Sequence, residues 1–184
     1  MKHLLALLLA LVGLTACASR PPTDTSAAYS AAQASLQAVV LSPAQEADAV
    51  LRFKNFYKDV TVSSVHDQIA GLYADDVWFN DSLKTLHGRA AVRDYFLKTL
   101  EHVEVFQTRV DDVARSGSNY YVRWTMDVRF KGSKETIRTI GISQLCFDRS
   151  GRVILHQDFW DSTAGFFQHL PVIGGAIRWV KSLL

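Results

Sequence analysis

The chain has 184 residues, of which 48% are hydrophobic and 21% charged, and its formal net charge is +2 at pH 7. That fits one domain with short appendages and a real hydrophobic core. Basic and acidic residues are interspersed rather than blocked, so nothing asks for nucleic acid, and the two cysteines, Cys17 and Cys146, make neither a disulfide framework nor a zinc ligand set.

The elements follow in chain order. Residues 1–16 pair a basic "MKH" with the apolar run "LLALLLALVGL". That run is too short for a membrane span and typical of a signal peptide. It ends in "LTAC", residues 14–17, which resembles the lipobox of bacterial lipoproteins. The resemblance implies cleavage before Cys17, acylation of its thiol and new amino group, and anchorage to a membrane surface without a spanning helix. Ala18 after the cysteine then favours the periplasmic face of an outer membrane; the alternative is an ordinary signal peptide with an incidental cysteine. Residues 17–41 are rich in Ala, Ser, Thr and Pro without an apolar stripe, which reads as a flexible tether. Alanine also favours a marginal helix within 27–40.

The domain spans residues 42–184. Ser42, Pro43 and Gln45 open a helix as cap, first position and capping-box partner, and Val50, Leu51, Phe53, Tyr57 and Val60 follow near helical spacing. "SVHDQIAGLY" predicts a shorter helix, "VWFND" a strand, and "HGRAAVRDYFLKTL" a third helix with Val92, Tyr95, Phe96 and Leu100 on its apolar face. The period then changes to two. "VEVFQTRV", "YYVRWTMDVRF", "TIRTIGISQLCF" and "RVILHQDFW" predict four strands, separated by the turn segments "RSGSN", "KGSK" and "DRSG". Tyr120, Val122, Trp124, Met126, Val128 and Phe130 share one face of the second of these, so one side of the sheet is buried and the other wet. The tail, broken by Pro171 and Gly174-Gly175, suits a short helix over the sheet or a pocket mouth. Helices first and an antiparallel meander after them make an α+β domain.

"FKNFYKDVTVSSVHDQIAGLYADDVWFND" followed by "HGRAAVRDYF" resembles the nuclear transport factor 2-like superfamily, which includes ketosteroid isomerases and SnoaL-like polyketide cyclases. The resemblance covers about residues 46–170 and implies a strongly curved antiparallel sheet wrapped round the N-terminal helices to enclose a cone-shaped cavity. By similarity to the isomerases, Asp81 stands at the place of the general base and Tyr57, sixteen residues before Tyr73, at that of an oxyanion donor. Ser143 stands where those enzymes carry a second, acidic donor, a departure that counts against steroid isomerisation. By similarity to the cyclases, Trp160, Asp161 and Gln168 match a Trp-Asp-Gln pattern, with either Asp161 or Asp158 as the acid/base.

Without the family, "LHQDFWD" places His156, Asp158 and Trp160 on one strand face. The resemblance turns that face inward, where a His–Asp pair needs partners or water. Such a pair can work as an acid/base or merely fix local structure. Asp81 can be a buried base or the cap of the next turn, and Tyr57 a donor or a satisfied core tyrosine. Trp78, Trp124, Met126, Leu145, Phe147 and Trp160 are the candidate apolar lining, suited to a small hydrophobic ligand. His66 and Asp67 read as surface, His87 as a loop or cap residue, Asp75 and Asp76 as turn formers, Asp111-Asp112 as solvated, and Cys146 as an inert thiol. No spacing supports a metal site and no cofactor is expected. Three functions remain: a binding module for a hydrophobic molecule at a membrane, an acid/base enzyme that removes a proton next to a carbonyl, or a homodimer formed through the open sheet face, as the superfamily resemblance suggests.

Overall fold

The computed structural model of the chain describes residues 24–169 and 173–183. The expected signal segment 1–16 and the lipidation site Cys17 lie outside the described residues. The segment up to Ser35 forms a unit of its own. Its helix α1, Thr25–Ser35, is the alanine-driven one, and Asp24 Oδ1 caps it by accepting the Ala27 N–H at 2.9 Å.

In the unit from Leu36 onward, α2 runs from Pro43 to Lys58 behind the expected capping box: Ser42 Oγ accepts the Gln45 N–H and the Gln45 side chain accepts the Ser42 N–H. Helix α3, Val62–Leu72, starts on the same reciprocal device between Thr61 and Ser64. Strand β1, Tyr73–Asn80, begins four residues earlier than expected and carries Asp75 and Asp76 as exposed strand residues rather than turn formers. Asp75 pairs with Arg89. A short strand β2, Thr85–His87, takes His87 out of its expected loop and pairs it with Trp78. Gly88, at φ 83°, then makes the turn into α4, Arg89–Leu100.

Strands β3 (Val103–Ser116), β4 (Asn119–Phe130), β5 (Ile137–Phe147) and β6 (Val153–Trp160) are the expected meander. The six strands form one curved, unclosed sheet in the order β2-β1-β6-β5-β4-β3. It is antiparallel except where β1 lies parallel to β6, a pairing the meander pattern did not contain. Register breaks fall in β1 between Tyr73 and Trp78 and in β3 at Val103/Val105 and Val110/Asp112. Bulges of this kind bend a strand and raise its twist. After β6 come a single turn α5 (Ser162–Gly165), a 3-10 turn (Phe167–His169) and α6 (Ile173–Lys181).

The concave face packs Phe53, Phe56 and Val65 against Tyr120, Leu145 and Phe147. The convex face is wetter, and there Asp111 is not simply solvated: it pairs with Arg109 and accepts from Thr125 Oγ1 at 2.8 Å. Exposed Ile140, Ile142 and Phe159 interrupt the polar pattern of the outer residues of β5 and β6. Among the described residues no helix is long and apolar enough to cross a membrane.

Candidate functional site

A cavity of about 600 Å³ opens inside the curved sheet. Phe53 and Tyr57 of α2 line it, as do Tyr95 and Phe96 of α4, inward residues of β3 to β6, and Gly165, Phe166 and Phe167 from the segment after β6. The strand register builds its polar centre. Ser143 of β5 stands opposite Asp158 of β6, Leu145 opposite His156, and Gly141 opposite both Trp124 and Trp160. Gly141 is required there, because a Cβ would overlap the Trp124 ring. Gly165 leaves room in the same way for the ring of Trp160.

His156 is 1% exposed and bonded at both ring nitrogens. Nδ1 lies 2.8 Å from the Tyr73 hydroxyl, which lies 2.7 Å from the Tyr57 hydroxyl. Nε2 lies 2.7 Å from Asp158 Oδ1. That same oxygen accepts from Ser143 Oγ at 2.5 Å, and Trp124 Nε1 donates to Ser143 Oγ at 2.9 Å. With Asp158 ionised and the imidazole neutral, one assignment satisfies every partner. Nε2 carries the proton and donates to Asp158, Nδ1 accepts from Tyr73, and Tyr73 accepts from Tyr57. Burial pushes both tyrosine hydroxyls well above their usual range, so they stay protonated donors. Phe79 holds the imidazole edge-on at 4.9 Å between ring centroids. Both bonds fall on Oδ1 of Asp158, itself a cavity residue.

Asp81 closes the other side. Its Oδ1 accepts the Leu83 and Lys84 N–H groups at 2.9 and 2.8 Å, and its Oδ2 accepts the Tyr95 hydroxyl at 2.5 Å. It is therefore the cap of the "SLKTLHG" turn and a cavity residue at once. Burial raises its pKa, opposed by the Tyr95 hydrogen bond and reinforced by the Asp158 charge. Trp160 Nε1 donates to the Asp81 carbonyl at 2.7 Å and ties the two carboxylate segments together.

The structure thus gathers Tyr57, Asp81, Trp124, Met126, Ser143, His156, Asp158 and Trp160 round one space. Four expected residues lie elsewhere. Asp161 is exposed and caps α5 by accepting the Ala164 N–H at 2.9 Å, because β6 has ended one residue earlier. Trp78 alternates with Val77 and Phe79 and so faces away from the cone. Leu145 and Phe147 share the inward face but sit in the filled core. Ser143 and Tyr57, read as donors toward a ligand, instead donate to Asp158 and Tyr73. Cys146 is buried, donates to Asn119 Oδ1 at 3.2 Å, and its thiol is pushed up to about 11 by burial.

Two residues of the network carry no site signal of their own in the sequence: Tyr95, whose spacing puts it on the apolar face of α4, and Tyr73, which stands out only through its spacing from Tyr57. That spacing was the available signal, since the two hydroxyls meet. Tyr95 offered none, because its partner lies across a loop. Among the described residues no three His, Cys, Asp or Glu side chains come together to hold a metal ion.

The SnoaL-like domain family model matches residues 53–156. No curated protein sequence matches the chain. Solved structures share the fold at low identity. One is an epoxide hydrolase of the LEH-like type from Mycobacterium tuberculosis (16% identity, 76% of this chain and 95% of that one, TM-score 0.55). Another is a protein described as a SnoaL-like polyketide cyclase from Shewanella putrefaciens (14%, 67% and 93%, 0.55). A third, from Catenulispora acidiphila, has a ketosteroid isomerase-like fold and was solved with trimethylamine (15%, 64% and 88%, 0.55).

Proposed function

The chain belongs to the SnoaL-like family of the nuclear transport factor 2-like superfamily, and on that footing we propose that its cone binds a small, largely apolar molecule whose one polar group meets Asp158. The observation that carries this reading is Asp158, held by two hydrogen bonds to Oδ1 and lining a space walled mostly by aromatic and aliphatic side chains. Such a site combines broad apolar contact with a few convergent polar groups that fix orientation. Nile red, a neutral dye that brightens in apolar surroundings, tests it. The wild type should bind the dye saturably, and Val128→Trp, which puts an indole into the lined space, should weaken binding at least tenfold with an unchanged melting temperature. Equal binding by the variant, or none by the wild type, contradicts the reading.

A second reading is proton-transfer catalysis. The orientation of the dyad favours it: His156 holds Asp158 with one nitrogen and is itself held by Tyr73 with the other. Asp81 adds to it, since burial raises its pKa and suits it to an acid. The engagement of Tyr57 and Ser143 with protein partners weighs the other way, because neither hydroxyl is left to stabilise an enolate. Incubation with a hydrophobic metabolite extract separates the readings. Mass-changed products formed by the wild type and not by Asp158→Asn support catalysis, and an unaltered extract with retained Nile red binding supports carriage.

The lipobox-like "LTAC" supports placing this binding site at a membrane surface in the cell envelope. Incorporation of labelled palmitate that is lost in Cys17→Ser tests the anchor.

A further inference from the structure

Asp81 and Asp158 both line the cone, and among the described residues neither forms an ion pair with Lys or Arg. Among the described residues the single basic group in contact with either is His156, against Asp158. The other basic side chains on the lining, Lys84 and His102, are exposed and therefore belong to the rim. A carboxylate behind apolar walls is destabilised unless something matches its charge, and two that repel one another more so. Hydrogen bonds from Tyr95, Ser143 and two backbone amides compensate in part. They supply dipoles and no counter-charge.

The aromatic groups complete the pattern. The indole N–H of Trp160 is given to the Asp81 carbonyl and that of Trp124 to Ser143, so each tryptophan is pinned by its edge beside one of the acids. The two rings lie 6.5 Å apart, and both line the cavity. Ring faces attract cations, tryptophan most strongly. Lys84 already shows the preference at the rim, where its ammonium lies 5.7 Å from the centroid of the Tyr95 ring. A guest bearing a carboxylate or phosphate would meet two acids; a neutral guest would leave them unmatched.

We propose that the guest of this cone is a cation, an amine or quaternary ammonium group on an apolar body, with the charge seated between Asp81, Asp158 and the faces of Trp124 and Trp160. The inference rests on the reading of the cavity as a binding site and names the chemical class that site takes.

The test compares three probes of similar size by calorimetry and by the indole resonances of the wild type. They are benzyltrimethylammonium, its neutral carbon isostere neopentylbenzene, and the anion 3-phenylpropanoate. The cation should bind at least tenfold more tightly than the neutral isostere, and the anion should not bind measurably. Asp81→Asn and Asp158→Asn should each reduce the cation's advantage over the neutral probe several-fold. The wild-type comparison stands alone if either variant fails to fold. Equal binding of cation and neutral isostere overturns the cationic guest and leaves the cavity reading intact. The same holds if none of the three binds while Nile red does. Failure of all three together with Nile red overturns both.

Discussion

Strand β4 runs through two different interiors. Its first half carries Tyr120 and Val122, both buried; Tyr120 packs edge-on against Phe147 at 4.9 Å, and its hydroxyl accepts the Leu41 N–H. Its second half carries Met126, Val128 and Phe130, equally apolar, half-buried, and facing empty space. The same alternation thus builds a solid core at one end and a receptor wall at the other. The divide falls at Trp124, which packs in the core and lines the cavity. Apolar period two reports which face turns inward and says nothing about whether another element fills the space in front of it.

Truncations should separate the two halves by the size of their effect. Phe147→Ala, in the filled half, should cost about 3–5 kcal/mol in urea unfolding, because it leaves a hole that close-packed neighbours cannot collapse into. Phe130→Ala, in the hollow half, should cost about 1 kcal/mol or less, since its side chain already borders open space. Equal losses would erase the distinction. His156→Ala stands at the boundary. It strips partners from the Tyr73 hydroxyl and the Asp158 carboxylate together, so a loss of about 2–4 kcal/mol is expected by the same measurement. A loss below half a kcal/mol would mean the dyad is not a connected network.

A smaller effect concerns pH. The Asp81 pKa is raised in the folded state by burial, with Asp158 adding to the rise and Tyr95 opposing it; Lys84 is the nearby cation at the rim. A raised carboxyl contributes its stability below the unfolded value, about 3.9, and loses it as pH climbs through the folded value. Asp81→Asn, whose amide can accept from the Leu83 and Lys84 N–H groups and donate to Tyr95, escapes that loss. The variant should therefore gain on the wild type between pH 4 and pH 8 in matched urea midpoints. A variant that loses ground over that range contradicts the burial argument. Smallest of all, Cys146 should resist iodoacetamide at pH 8 in the folded protein, because its thiol is buried and held up at about 11. Rapid alkylation would show that β5 opens.

The parts legible in the sequence are those whose cause is local. The capping box at Ser42, the inward face of β4, the turns, and the His156–Asp158 pair two residues apart on β6 all follow from spacing. The parts that were not legible join distant segments. Tyr73 meets His156 across 83 residues, and nothing in either neighbourhood names the other. Tyr95 looked like helix lining because tyrosine serves as readily in a core, and its hydroxyl finds Asp81 only after the β2 turn folds back. The parallel β1–β6 pair is likewise invisible to periodicity, which carries no strand order. Asp161 failed to reach the cavity for a local reason: the strand stops at Trp160, and the next carboxylate becomes a helix cap.

The central claim is that the half of the cone walled by Met126, Val128 and Phe130 receives a guest while the half packed around Tyr120 and Phe147 is closed. The direct measurement is a titration with cyclohexanol, a small apolar molecule with one hydroxyl, followed by the tryptophan indole and Met126 methyl resonances. The account predicts saturable shifts at Trp124, Trp160 and Met126, with Trp78, buried but outside the cavity, unmoved. Shifts at Trp78 as large as those at Trp124, or no saturable shift at any of the three cavity residues, would contradict it.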